Sequence, residues 1–152
     1  MTDDIDQTID RARENYQRIL LPTDGSDEAQ MAAERGIEIA AALDATVHAF
    51  SVIQSSAVLK RDQLRTDAKA DARDAVERVE TAAESAGVEV TTSVEKGVSH
   101  ESIVNYATAN DIDMIVMGTH GRTGLDHVMI GSVAERVVRT SPVPVLTIRP
   151  QE

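Results

Sequence analysis

Four of the eight glycines in this 152-residue chain, Gly118, Gly121, Gly124 and Gly131, fall within fourteen residues. They follow residues 113–117 (DMIVM), which read as the most buried strand. Glycine accepts positive φ and lets the backbone approach a ligand closely. The segment then enters a helical stretch starting Ser132-Val-Ala-Glu135, which fits the Ser-x-x-Glu capping box. A helix start offers unpaired N–H groups and partial positive charge, and both favour phosphate. Glycines, helix start and the Ser132 hydroxyl together therefore read as a phosphate cradle. A surface loop that needs glycine only to turn is the plainer alternative. Neither G-x-x-x-x-G-K-[ST] nor G-x-G-x-x-G after a strand is present. Arg122 is the basic side chain of the loop, either reaching a terminal phosphate or simply solvated.

A second candidate is Pro22-Thr23-Asp24-Gly25-Ser26, which follows the first apolar run. Asp24 at the end of a strand could hold a ribose hydroxyl, a purine edge or a hydrated metal. The same residues also serve as turn and cap, with Asp24-Gly25 turning and Ser26 or Asp27 capping a helix. His120 and His127 share the glycine loop with Asp126, but no HExxH or close pair supports a metal site. His48 lies mid-strand and reads as structural. No catalytic base or nucleophile stands out, and no basic pair is arranged for phosphoryl transfer. The expectation from these residues is a binding module rather than an enzyme.

The elements that must position these residues alternate along the chain. Strands are expected at 18–22, 46–53, 88–94, 113–117 and 143–149, and helices at 27–43, 64–86, 99–109 and 132–139. Residues 27–43 carry apolar side chains at i, i+3, i+4 and i+7 spacing, residues 64–86 repeat them on one face, and residues 113–117 are apolar almost throughout. Such strands suit a parallel sheet covered on both faces. The expected fold is an α/β three-layer open sandwich with a five-stranded parallel sheet, one domain over 18–150. Ligands of such sheets bind at the carboxyl ends of the strands, where strand order reverses. Residues 1–17 read as an acidic, mobile N-terminal extension.

Composition narrows the function. A formal charge of −11 argues against nucleic acid or an anionic membrane surface as partner. No apolar run approaches a spanning helix, and MTDDIDQTID has no secretory character, so a cytoplasmic chain is expected. The absence of cysteine excludes thiol catalysis and disulfides. Three lysines against twelve arginines on an acidic chain suggest a salt-rich cytosol, as in a halophilic archaeon.

At this point the chain resembles the universal stress protein family. Gly118, Gly121, Gly131 and Ser132 match the G-x2-G-x9-G-[ST] motif of its nucleotide-binding members at full spacing. ILLPTDGSDEA, DMIVMG, GSVAERVVR and SPVPVLTIRP are also similar to family segments, and the likeness covers residues 18–150. The resemblance implies the adenine nucleotide α-hydrolase-like, Rossmann-like form of the sandwich. It also implies ATP (or AMP or another adenine nucleotide), with Mg2+ or Mn2+ between the phosphates. Pro22, Thr23 and Asp24 would then sit beside adenine and ribose, and the Val52 backbone would meet adenine. Met117 and Gly118 would line base and sugar, while Gly121, Gly131, Ser132 and Val133 hold the phosphates. Ala134 stands where some members carry a hydroxyl, so one phosphate contact is in doubt. The family also pairs its final strands into a homodimer. Here that strand would offer Val143, Val145, Leu146 and Ile148, an apolar edge hazardous if left exposed.

Two other ligand-binding families share the fold class. A receiver domain needs a phosphorylatable Asp after the third strand and a Lys after the fifth, where this chain has Val94-Glu95-Lys96 and Thr147-Ile148-Arg149. A flavodoxin stacks aromatic rings on its flavin, and Tyr16, Phe50 and Tyr106 all lie outside the binding loops. The resemblance implies at most slow ATP hydrolysis or self-phosphorylation; such an enzyme, or a dimeric partner protein that no longer binds nucleotide, stays open as an alternative.

Overall fold

A computed structural model describes residues 2–54, 62–120 and 130–150. The elements are α1 (Thr2–Asn15), β1 (Arg18–Pro22), α2 (Asp27–Leu43), β2 (Thr46–Gln54) and α3 (Asp62–Ser85). After these come β3 (Val90–Gly97), α4 (Ser99–Ala109), β4 (Met114–Gly118), α5 (Ser132–Thr140) and β5 (Val145–Ile148). The strands form one parallel five-stranded sheet in the order β3-β2-β1-β4-β5. This is the expected three-layer α/β sandwich.

Alternation along β1 explains why Ile19, Leu20 and Leu21 are all apolar. Ile19 and Leu21 of β1 enter a core with Ala33, Ile37 and Ala40 of α2 and Val76, Val79 and Ala83 of α3. Leu20 faces the opposite core, made with Ile103, Tyr106 and Ala107 of α4 and Ala134 and Val137 of α5. All three β1 side chains are completely buried. Helix α2 approaches β1 closely because Gly36 faces it, and a Cβ there would lie 2.2 Å from Leu21 Cδ2.

The few aromatic residues are concentrated in the second core. Phe50 is fully buried and stacks on Tyr106, with ring centroids 4.5 Å apart. The Tyr106 hydroxyl lies 2.7 Å from His48 Nδ1, so His48 is a satisfied structural side chain. Burial lowers the His48 pKa, and nearby Arg18 lowers it further. Burial also raises the Tyr106 pKa, with Glu95 adding to the effect.

Three local differences from the sequence reading have physical causes. β3 starts at Val90 rather than at residue 88, because Val88, beyond the end of α3, is still tied back to its last turn. Its N–H donates to Ala83 O at 2.9 Å, after Gly87 takes the left-handed φ of 72°. β5 starts at Val145 rather than at residue 143. Ser141 Oγ donates to Val143 O at 2.7 Å and accepts from Val143 N at 3.1 Å, which holds Val143 in a turn. Val143 is therefore not an edge-strand residue, and it packs against the second core instead. The N-terminal extension, to which the sequence reading assigned no element, is helical over Thr2–Asn15. Asp3 and Asp4 lie in the first turn of α1 and Arg13 in the last, which complements the helix dipole. Ala12 and Tyr16 are partly covered, while Ile5 and Ile9 remain exposed.

Candidate functional site

Strand order reverses between β1 and β4, and a cleft of about 420 Å³ opens there at the carboxyl ends of the strands. Pro22, Thr23, Asp24, Val52, Met117, Gly118, Gly131, Ser132 and Val133 all line it. These nine come from four separate stretches of chain, and the fold brings them to one place. The remaining two residues singled out from the sequence, Gly121 and Arg122, lie outside the described residues, as do Asp126 and His127.

The β1 side of the cleft is a self-bonded turn. Gly25 takes a φ of 83°, a conformation that glycine adopts without strain. Asp24 Oδ1 accepts from Ser26 N at 2.9 Å, and Thr23 Oγ1 accepts from Gly25 N at 3.1 Å. Ser26 is the α2 cap, its Oγ accepting from Ala29 N at 3.2 Å. Arg78 of α3 donates from Nη1 to Gly25 O at 3.1 Å, tying the turn to the neighbouring helix. The Asp24 carboxylate is thus held at the cleft wall by its own backbone.

Beside this turn, the end of β2 leaves an unpaired strand edge. In a parallel ladder, a residue's N–H and C=O point to the same side, and that side alternates along the strand. Thr46 N donates to Gln17 O and Phe50 O accepts from Thr23 N, so the even residues of β2 face β1. The odd residues face β3, as the bond from Val47 N to Glu89 O shows. Pairing with β1 ends at Pro22 opposite Phe50. Val52 therefore turns one donor and one acceptor toward β1 at a level that β1 does not reach, beside the cleft.

At the far end stands the N-terminus of α5. The expected capping box does not form. Gly131 is the N-cap with no side-chain cap bond, Ser132 is the first helical residue, and Glu135 pairs with Arg139 instead. Gly131 cannot supply a capping oxygen, and Ser132, as the first helical residue, lines the cleft. A helix start without a side-chain cap retains N–H donors for an anion. Buried Ala134 also lines this end.

The sequence reading gave no role to Glu28 or Thr119, and it weighed His120 only for a metal. Glu28 Oε1 accepts from Thr119 Oγ1 at 2.8 Å and from His120 N at 3.1 Å, and lies 3.2 Å from His120 Nδ1. Thr119 and His120 are 5% and 6% exposed. Nothing in the spacing of residues 91 and 92 positions apart announces such a cluster. Gln54 and Ser99, hydrogen-bonded at 3.1 Å, and Asp71 of α3 also line the cleft without a sequence signal. Among the described residues the lining holds the carboxylates Asp24 and Asp71 but no Lys or Arg. No group of three metal-ligating side chains occurs among the described residues. Nor, among them, is any helix long and apolar enough to cross a membrane.

Comparison with known proteins agrees with this geometry. The family model described as universal stress protein family matches residues 15–149. A universal stress protein of Methanocaldococcus jannaschii is 38% identical over 149 residues, a match covering 93% of this chain and 88% of the relative. A putative universal stress protein of Staphylococcus saprophyticus is 33% identical, covering 90% of this chain and 86% of the relative. Among solved structures, the universal stress protein UspA from Lactobacillus plantarum superposes with a TM-score of 0.76 at 28% identity. That match covers 88% of this chain and 98% of the other. The chain belongs to the universal stress protein family.

Proposed function

We propose that the cleft binds an adenine nucleotide, ATP with Mg2+ or Mn2+ between its phosphates, and that the chain works as a nucleotide-dependent stress-signalling module. The observation that carries this reading is the Val52 edge and the uncapped α5 start at two ends of one cleft. Adenine presents an acceptor at N1 beside a donor at N6, the complement of one peptide N–H and C=O. A phosphate tail suits the N–H groups of Ser132 and Val133, with Gly131, whose own N–H is bonded to Thr119 O, letting the backbone come close. Asp24 stands between them, where a carboxylate accepts from ribose hydroxyls. Gly121 and Arg122 complete the phosphate end in this reading. A solved universal stress protein described as in complex with cAMP, 25% identical with a TM-score of 0.71, supports an adenine nucleotide in a cleft of this fold. The bound cation would offset phosphate charge beside Asp24 and Asp71, since the described lining supplies no Lys or Arg.

Turnover at ordinary enzymatic rates is not part of the proposal, because among the described residues the lining shows no cationic pair to stabilise a transferring phosphoryl group. The protein is further proposed to pair through the β5 edge into a homodimer, with Leu146 exposed on that strand. Leu146→Asp should then convert a dimer to a monomer in sedimentation velocity.

The main test is to denature freshly purified protein and identify released nucleotide by mass spectrometry, for the wild type and for Gly131→Val. ATP from the wild type and none from the variant is the expected result. No nucleotide from either, with no calorimetric binding of added ATP and Mg2+ in molar KCl, would overturn the proposal.

A further inference from the structure

We infer that Glu28 is a positioning residue for the phosphate end of the cleft, acting through Thr119 and His120 rather than by touching the ligand. The inference rests on the nucleotide reading above and adds a residue to it. A carboxylate only accepts hydrogen bonds, so the Thr119 hydroxyl donates its proton to Glu28 Oε1 at 2.8 Å. The hydroxyl oxygen then accepts from His120 Nδ1–H at 2.9 Å, which sets the ring as the Nδ1–H tautomer. The His120 backbone N–H also donates to Glu28 Oε1, at 3.1 Å. Donors from two consecutive residues thus converge on one atom of α2.

Those two residues are the entrance to the glycine segment. Thr119 O accepts from Gly131 N at 2.6 Å, and Thr119 N donates to Ile148 O at 3.1 Å. One peptide chain crossing therefore joins the entrance of the segment to its exit, the N-cap of α5. Glu28 holds that crossing from the first turn of α2, beginning one residue after the Ser26 cap that also shapes the Asp24 turn. Its methylene groups pack beneath Gly118, where a Cβ would lie 3.3 Å from Glu28 Cγ. The carboxylate links the ribose side of the cleft to the phosphate side, and its removal frees the phosphate side alone. Adenosine, which lacks phosphate, should scarcely register that loss.

The test is the ratio of ATP to adenosine affinity, measured by calorimetry with saturating Mg2+ for wild type, Glu28→Met, Glu28→Gln and Thr119→Val. Glu28→Met keeps the methylene groups and deletes the acceptor, so ATP should weaken roughly tenfold with adenosine within about twofold. Glu28→Gln retains an acceptor oxygen and should restore the ratio to within about threefold of wild type. Should Glu28→Met fail to fold, Thr119→Val, which removes a single hydroxyl at nearly constant volume, should still lower the ratio about threefold. An unchanged ratio in the folded variants, or equal weakening of both ligands, overturns the inference while leaving nucleotide binding intact. A wild type that binds neither ligand overturns the nucleotide reading, and this inference with it.

Discussion

Proline scanning at the end of β2 separates the strand edge from the strand ladder. Val52 directs its N–H toward the side that β1 has left, whereas Ile53 faces β3, where it is paired with Lys96. Proline lacks the N–H and is tolerated in a strand only where that group has no ladder partner. Val52→Pro should therefore fold, losing about 1 kcal/mol from altered packing of a half-buried side chain. Binding should suffer more. The base loses one hydrogen bond and keeps an unpaired acceptor in a partly buried place, together about 1.5–3 kcal/mol, or roughly 10- to 150-fold in affinity for ATP. Ile53→Pro removes a ladder donor and a side chain that is 8% exposed. Its cost should be about 4 kcal/mol, a large part of the 5–15 kcal/mol of an ordinary domain. Urea unfolding followed by circular dichroism gives the stabilities, and titration calorimetry with Mg2+-ATP gives the affinity. Equal destabilisation by the two prolines would show that the Val52 N–H is engaged in the sheet. A folded Val52→Pro that binds ATP like the wild type would remove the base from this edge.

Other consequences can be measured without ligand. Gly36→Ala places a Cβ 2.2 Å from Leu21 Cδ2, which is completely buried, so overpacking should cost about 1–3 kcal/mol in urea unfolding despite alanine's better helix propensity. A stability gain would mean that α2 can move away from β1 freely. The His48 pKa is lowered below its ordinary 6.5 by burial and Arg18, so the unfolded chain takes up the proton first as pH falls. The thermal midpoint should therefore drop as pH passes below about 6.5 and level off below the folded-state pKa, and His48→Gln should flatten that segment of the profile. A net charge of −11 repels itself over about 30 Å at 0.01 M salt but about 3 Å at 1 M. The urea midpoint should rise across that range of KCl, and a flat response would remove the idea of a salt-adapted surface.

Much of the fold was legible because burial is imposed on a strand or helix one face at a time. Ile19, Leu20 and Leu21 read as a strand covered on both sides, and Ala29, Ala32, Ala33, Gly36, Ile37 and Ala40 read as one face of α2. The Asp24 turn was legible for a similar reason, since turn bonding is a local requirement. Short-range bonds already set limits on that legibility. Ser141 withdrew Val143 from β5, and Gly131 rather than Ser132 became the cap of α5.

Relationships between distant segments were settled only when the chain crossed itself. Composition and periodicity carry no information about where β1 stops relative to β2, yet that offset decides that the Val52 peptide faces the cleft. The same holds for Glu28, whose partners lie 91 and 92 residues away and are fixed by how α2 packs over the end of β4. A sequence specifies which side chains leave water. The orientation of a single peptide or carboxylate depends on strand order, register and helix placement, which arise from the packing of the whole domain.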